Sequence, residues 1–147
     1  MTPDADFDRI AASFEEDVYG STKGAVRLAV LWDDLLSGIP GLSRGGLHVL
    51  DAGGGSGHLA VPLAALGNAV VLCDPSEEML AMAAERAREG GVADAVRLVR
   101  AAIQELDAAL GERFDVITCH AVLEWLAGPA AAVAALVPLL KPDGRLS

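Results

Sequence analysis

The segment Val49-Leu50-Asp51-Ala52-Gly53-Gly54-Gly55-Ser56-Gly57 constrains the fold more than any other part of the chain. A short apolar run ends in an acid, and glycines follow at alternate positions. Leu59-Ala60-Val61 then opens a helix-like pattern that reaches Leu66. This order predicts a strand, a tight turn and a helix. Glycine accepts backbone angles that other residues avoid and lets the main chain approach a ligand closely. The unpaired N–H groups at a helix start attract a small polar ligand. Pro62 is compatible with a helix only near its beginning, where N–H groups lack partners anyway. The loop is therefore predicted to run through Gly57, with the helix starting near His58 or Leu59.

The same alternation continues along the chain. Leu47–Asp51 reads as a first strand and Leu59–Leu66 as a helix closed by Gly67. Ala69–Cys73 is a second strand ending at Asp74. Ser76 is an N-cap for a helix over Glu77–Glu89, whose leading acids suit the helix dipole. Val96–Val99 and Phe114–Thr118 are further strands, and Pro129–Leu140 a further helix. Pro142-Asp143-Gly144 is predicted to turn into a fifth strand beginning at Arg145-Leu146-Ser147. Strands alternating with helices imply an α/β fold with a parallel sheet and right-handed crossovers. Ahead of it, Phe7, Ile10, Ala11 and Phe14 recur at helical steps, and a second helical pattern runs from Ala25 to Leu36. Gly38-Ile39-Pro40-Gly41 and Gly45-Gly46 mark a linker. Two parts are expected: a helical segment over residues 1–46 capping the ligand site, and a sheet domain over residues 47–147.

Charge and composition exclude some functions. The chain has 147 residues, 52% of them hydrophobic, with a mean hydropathy of +0.39, which suits a packed domain and not a disordered one. Eleven Lys and Arg against 21 Asp and Glu leave a net charge of −10, a field that does not attract nucleic acid. Residues 53–73 carry no Asp, Glu, Lys or Arg, but the glycine turn, Pro62 and Gly67-Asn68 interrupt them, so no spanning helix is expected. The opening Met1-Thr2-Pro3-Asp4-Ala5-Asp6 is not a secretion signal. The expectation is a cytoplasmic protein. Cys73 and Cys119 have no metal-ligand spacing, each ends an apolar run, and both are expected to be buried thiols; no metal is expected.

Three ligand classes compete for the glycine loop. A phosphate-binding P-loop needs Gly-Lys-Ser/Thr after four residues, and no such run exists. A dinucleotide fingerprint started at Gly53 places His58 where its third glycine belongs, and fails. The observed pattern is Asp-x-Gly-x-Gly-x-Gly over 51–57, which resembles the first motif of class I S-adenosylmethionine methyltransferases. A purely structural turn is the alternative. Asp74, at the carboxyl end of the second strand, is placed to accept the ribose hydroxyls of an adenosine ligand; a helix-capping or surface aspartate is its other reading. His120 follows the fourth strand, beside the switch point of such a sheet, and is either an orienting group or a hydrogen-bonded loop histidine. Tyr19, Lys23 and Arg27 form a solvated basic patch, or Arg27 pairs with a ligand carboxylate through its guanidinium fork. Glu124 and Trp125 read as a surface acid and a packing aromatic, and His48 and His58 show no partner pattern. With the first strand between the second and fourth, the cysteines lie about 9–10 Å apart, beyond the roughly 7 Å a disulfide can span.

Several blocks together resemble one family. They are Tyr19-Gly20-Ser21-Thr22-Lys23-Gly24 with Arg27, Leu31-Trp32 with Asp34-Leu35, the Val49–Gly55 block, Leu72-Cys73-Asp74, and His120-Ala121-Val122-Leu123-Glu124-Trp125. They are similar to bacterial tRNA 5-carboxymethoxyuridine methyltransferases. The resemblance implies a Rossmann-like class I methyltransferase sheet in the order 3-2-1-4-5, here without its C-terminal antiparallel part. It implies S-adenosyl-L-methionine as methyl donor and tRNA as partner, with esterification of a carboxylate on a modified wobble uridine. It implies cofactor contacts at Arg27, Gly53, Gly54, Asp74 and His120, with Ile103 and Gln104 near the adenine. Asp51 and Gly55 join them from the loop motif, and Tyr19 and Lys23 are assigned to the substrate. A methyltransferase acting on a small metabolite and a non-catalytic cofactor-binding fragment are the alternatives. An incomplete sheet would expose an edge strand and promote self-association.

Overall fold

The computed structural model describes residues 20–106, 110–120 and 128–147. Helix α1 covers Thr22–Gly38, and its N-cap Ser21 accepts the Gly24 N–H at 3.0 Å. A short 3-10 turn over Leu42–Arg44 leads to β1, His48–Ala52. Helix α2 is Ala60–Ala65 and β2 is Ala69–Asp74. Helix α3 is Glu77–Glu89, β3 is Val96–Arg100 and β4 is Phe114–Thr118. Helix α4, Pro129–Leu136, and β5, Leu140–Leu146, complete the described elements. Tyr19, the Phe7–Phe14 pattern, Glu124 and Trp125 lie outside the described residues.

The five strands form one parallel sheet in the order β3-β2-β1-β4-β5, as the resemblance implied. β1 and β2 are almost wholly buried, which explains their unbroken apolar runs: helices cover both faces of such a sheet. One core gathers Val49, Val70, Leu72, Val96 and Val116 with α2, α3 and the C-terminal half of α1. The other gathers Leu50, Val71, Cys73, Phe114 and Ile117 with Ile103, Leu106 and α4. The predicted linker is packed: Ile39 and Leu42 belong to the first core.

Three local expectations are corrected. Helix α2 is shorter than predicted. The helix read over Pro129–Leu140 stops at Leu136 and passes into a 3-10 turn, Val137–Leu139, where Pro138 supplies no N–H to continue the α-helical ladder. Pro142-Asp143-Gly144 is not a turn ahead of β5 but lies inside it. The β4–β5 register shifts there, from Phe114 opposite Leu140 to Val116 opposite Arg145, so the extra residues bulge out of the ladder. An edge strand tolerates this because proline there removes no shared hydrogen bond.

Asn68 joins three elements ahead of the site. Its buried side chain accepts from the Leu47 N–H at 3.1 Å and donates to the Leu42 and Leu63 carbonyls, both at 3.0 Å. The linker crosses the α2 end so closely that a Cβ on Gly45 would stand 2.4 Å from the Leu66 carbonyl oxygen.

Candidate functional site

The loop between β1 and α2 sits where β1 meets β2 and β4 at their carboxyl ends. Gly53, Gly55 and Gly57 have φ of 67°, 58° and 86°, so the alternate glycines are the positions that turn the chain through left-handed conformations. Gly54 is needed for a different reason. A Cβ there would lie 2.6 Å from both Asp51 Oδ2 and Leu72 Cγ. The loop therefore closes directly over the Asp51 carboxylate.

Asp51 is 3% exposed. Thr118, its neighbour in the β1–β4 register, donates from Oγ1 to Asp51 Oδ1 at 2.8 Å. Oδ2 is buried and has no hydrogen-bond partner among the described residues. Burial pushes the Asp51 carboxyl up to about 7; the Thr118 hydrogen bond opposes the rise and the nearby Asp74 charge adds to it. Asp74 ends β2 and is also buried. Its Oδ2 accepts the Gly55 N–H at 3.1 Å and its Oδ1 the Ser76 N–H at 2.9 Å, so the same carboxylate holds the loop and starts α3. Ser76 caps α3 by accepting the Met79 N–H at 3.1 Å, as predicted. Asp74 thus orders the helix start, as its capping reading had it, and is buried against the glycine loop, not a surface residue.

The remaining candidates are distributed unevenly. Ala101 N–H bonds the Asp74 carbonyl at 3.3 Å, which places the Ala102–Gln104 stretch beside this acid. Ile103 is buried in the second core and Gln104 is exposed. His120 is half-buried at the end of β4, where Nε2 lies 3.2 Å from Ser147 Oγ and burial holds its pKa below the usual histidine value. Lys23 and Arg27 are exposed on α1, and no hydrogen bond or ion pair among the described residues joins them to the loop. Cys73 is buried and Cys119 only half-buried, which corrects the expectation for the second thiol. Burial raises them to about 12 and about 11 respectively.

The two unassigned histidines acquire partners. His48 lies at the opposite end of β1, 3.2 Å from Glu112, which also pairs with Arg97. His58 contacts Arg86 of α3. The Asp51–Thr118 pair carried no sequence signal, because its members are distant in the chain. No group of His, Cys, Asp or Glu among the described residues could hold a metal ion.

A glycine loop over a buried acid, with a second acid closing β2, is the arrangement expected of the family that the sequence resembles. A family model described as a methyltransferase domain matches residues 50–146. The chain belongs to the methyltransferase domain family. It is 41% identical over 144 residues to the tRNA 5-carboxymethoxyuridine methyltransferase of Escherichia coli K12, an alignment covering 98% of this chain and 55% of the relative. It is also 41% identical over 101 residues to a ubiquinone biosynthesis O-methyltransferase of Agrobacterium fabrum, covering 69% and 39%. Among solved structures, it is similar to a Geobacter sulfurreducens SAM-dependent methyltransferase in complex with S-adenosyl-L-homocysteine. That match has a TM-score of 0.65 and 28% identity, and covers 81% of this chain and 45% of the other. The chain spans about half the length of the curated relatives it matches. Both the sheet order and the glycine loop that identify the methyltransferase domain therefore lie within this half.

Proposed function

We propose that the chain binds S-adenosyl-L-methionine and belongs to a methyltransferase that esterifies the carboxylate of 5-carboxymethoxyuridine at the tRNA wobble position. The observation that carries the cofactor reading is the orphaned, buried Oδ2 of Asp51 with Asp74 close by. Two buried acids favour a ligand with positive charge and oppose a pyrophosphate, which sets S-adenosylmethionine apart from NAD. When bound, S-adenosylmethionine supplies a methyl group on a positively charged sulfonium.

The residues divide the work. Gly53, Gly54 and Gly55 offer close main-chain approach. Asp51 answers the ligand's positive charge, and Asp74, an acceptor-only group when ionised, receives the ribose hydroxyls. Arg27 pairs with the ligand carboxylate from the 1–46 segment, which caps the site, and Lys23 and Tyr19 serve the substrate. The Ile103-Gln104 stretch borders the adenine, while His120 orients groups and takes no proton. A carboxylate acceptor is ionised at neutral pH and requires no general base. Positioning is then the main contribution of the protein.

The tRNA assignment is supported by identity to the E. coli enzyme over nearly the whole chain. A small-metabolite acceptor is the second reading, favoured by the similarity to the ubiquinone biosynthesis enzymes and by the net charge of −10. The protein is assigned to the cytoplasm; no helix of the described residues is long and apolar enough to cross a membrane. Edge strand β5 is the surface for self-association, and light scattering showing a strict monomer at high concentration overturns that part. Calorimetric titration with S-adenosylmethionine and with NAD tests the cofactor. Binding of NAD alone overturns the reading. Labelled donor offered with tRNA or with small carboxylic acids then separates the two acceptors.

A further inference from the structure

One face of α3 runs along the glycine loop. Met79, Ala83 and Arg86 recur at helical steps of four and three, so they share that face. Met79 Sδ lies 3.8 Å from where a Gly55 Cβ would stand, and Ala83 Cβ 3.4 Å from where a Gly57 Cβ would stand. Met79 and Ala83 are fully buried there. Arg86 completes the stripe with polar contacts. Its Nε donates to the Ser56 carbonyl at 3.0 Å, and its Nη2 lies 3.1 Å from His58 Nε2. Ser56 is buried, so the first contact is sheltered from water.

We propose that Arg86 is a positioning residue of the glycine loop, holding its second half against α3 through Ser56 and His58 so that the loop is preformed for its ligand. The proposal rests on the reading of this loop as the S-adenosylmethionine site. A guanidinium has donors and no acceptor. The contact therefore makes His58 Nε2 the acceptor and places the ring proton on Nδ1. The planar fork reaches both groups at once, which a lysine ammonium cannot reproduce. Asp74 fixes the first half of the same loop through Gly55, so the loop is held at both ends by side chains from outside it.

Two measurements test this in the complete protein. Ring nitrogen-15 NMR of His58 in the unliganded wild type reports the tautomer: a protonated Nδ1 with a bare Nε2 is expected, and a protonated Nε2 overturns the proposal. Titration of S-adenosylmethionine into Arg86→Met and Arg86→Lys is the second. Both variants are expected to weaken binding, Arg86→Met about tenfold and Arg86→Lys by less, with the His58 tautomer lost in Arg86→Met. Affinity within twofold of wild type in a folded Arg86→Met overturns the proposal. If Arg86→Met does not fold, Arg86→Lys and the wild-type tautomer decide the matter. A wild-type protein that does not bind S-adenosylmethionine overturns the cofactor reading instead, and the tautomer still reports on the clamp.

Discussion

The Thr118 hydroxyl donates to one oxygen of Asp51 at 2.8 Å across the β1–β4 register, and the other oxygen of that buried carboxylate has no partner among the described residues. The site thus holds a half-satisfied acid whose charge state responds to pH.

The pH dependence follows from Asp51. Its carboxyl titrates near 3.8 when unfolded and at about 7 when folded. Between these values the folded protein binds more protons, so stability falls as pH rises. The stabilisation is complete below the unfolded value and gone above the folded one. Denaturant unfolding of the unliganded wild type is expected to lose up to about 1.4 kcal/mol per pH unit from this group across that window. Asp51→Asn is expected to remove this slope and to be the more stable protein at pH 8, while binding S-adenosylmethionine at least about tenfold more weakly. An equal slope in both proteins contradicts the assignment.

Thr118→Val removes the one side-chain donor to Asp51 among the described residues without changing shape much. The loss leaves both carboxylate oxygens unpaired and is expected to cost about 1–3 kcal/mol. The cost is larger at pH 8, where Asp51 is ionised, than at pH 5. Parallel denaturant curves at the two pH values check this.

Gly54→Ala and Gly55→Ala are expected to differ in kind. The Gly54 Cβ collides with Asp51 and Leu72 at 2.6 Å, so overpacking of about 1–3 kcal/mol and loss of cofactor binding are expected. At Gly55 there is room, and the cost is the left-handed backbone, about 1–2 kcal/mol. Thermal melts with and without S-adenosylmethionine separate the two.

Asn68→Ala breaks three hydrogen bonds away from the loop. A destabilisation of about 2–4 kcal/mol is expected, at roughly 1 kcal/mol per bond plus the groups left unpaired. The affinity of the folded fraction for S-adenosylmethionine is expected to stay unchanged, as measured by calorimetry below the melting temperature.

The cysteines are expected to resist oxidation to an internal disulfide. They belong to β2 and to the end of β4, on either side of β1. That is about two strand spacings. Burial also keeps both thiols protonated at neutral pH, with Cys119 at about 11. Intact mass after mild oxidation, and slow alkylation of Cys119 at pH 8, check the point.

The chain's local grammar was sufficient for the first four strands, the Ser76 cap and the turn over 53–57. Each depends on residues a few positions apart: an apolar run ended by Asp51 or Asp74, a serine ahead of two glutamates, a proline that dates the start of α2. The rules for parallel crossovers implied a parallel sheet, the sheet order came from the resemblance, and the structure agrees with both. Only the tertiary structure paired Thr118 with Asp51, Asn68 with Leu42, Leu63 and Leu47, and Arg86 with Ser56 and His58. It also absorbed Pro142-Asp143-Gly144 into β5, because an edge strand admits a bulge that a local turn signal cannot distinguish from a true turn. The physical reason is common to all of these. Backbone conformation is set by neighbours in the chain, whereas the partner of a buried polar group is set by register and by which helix face packs on which loop.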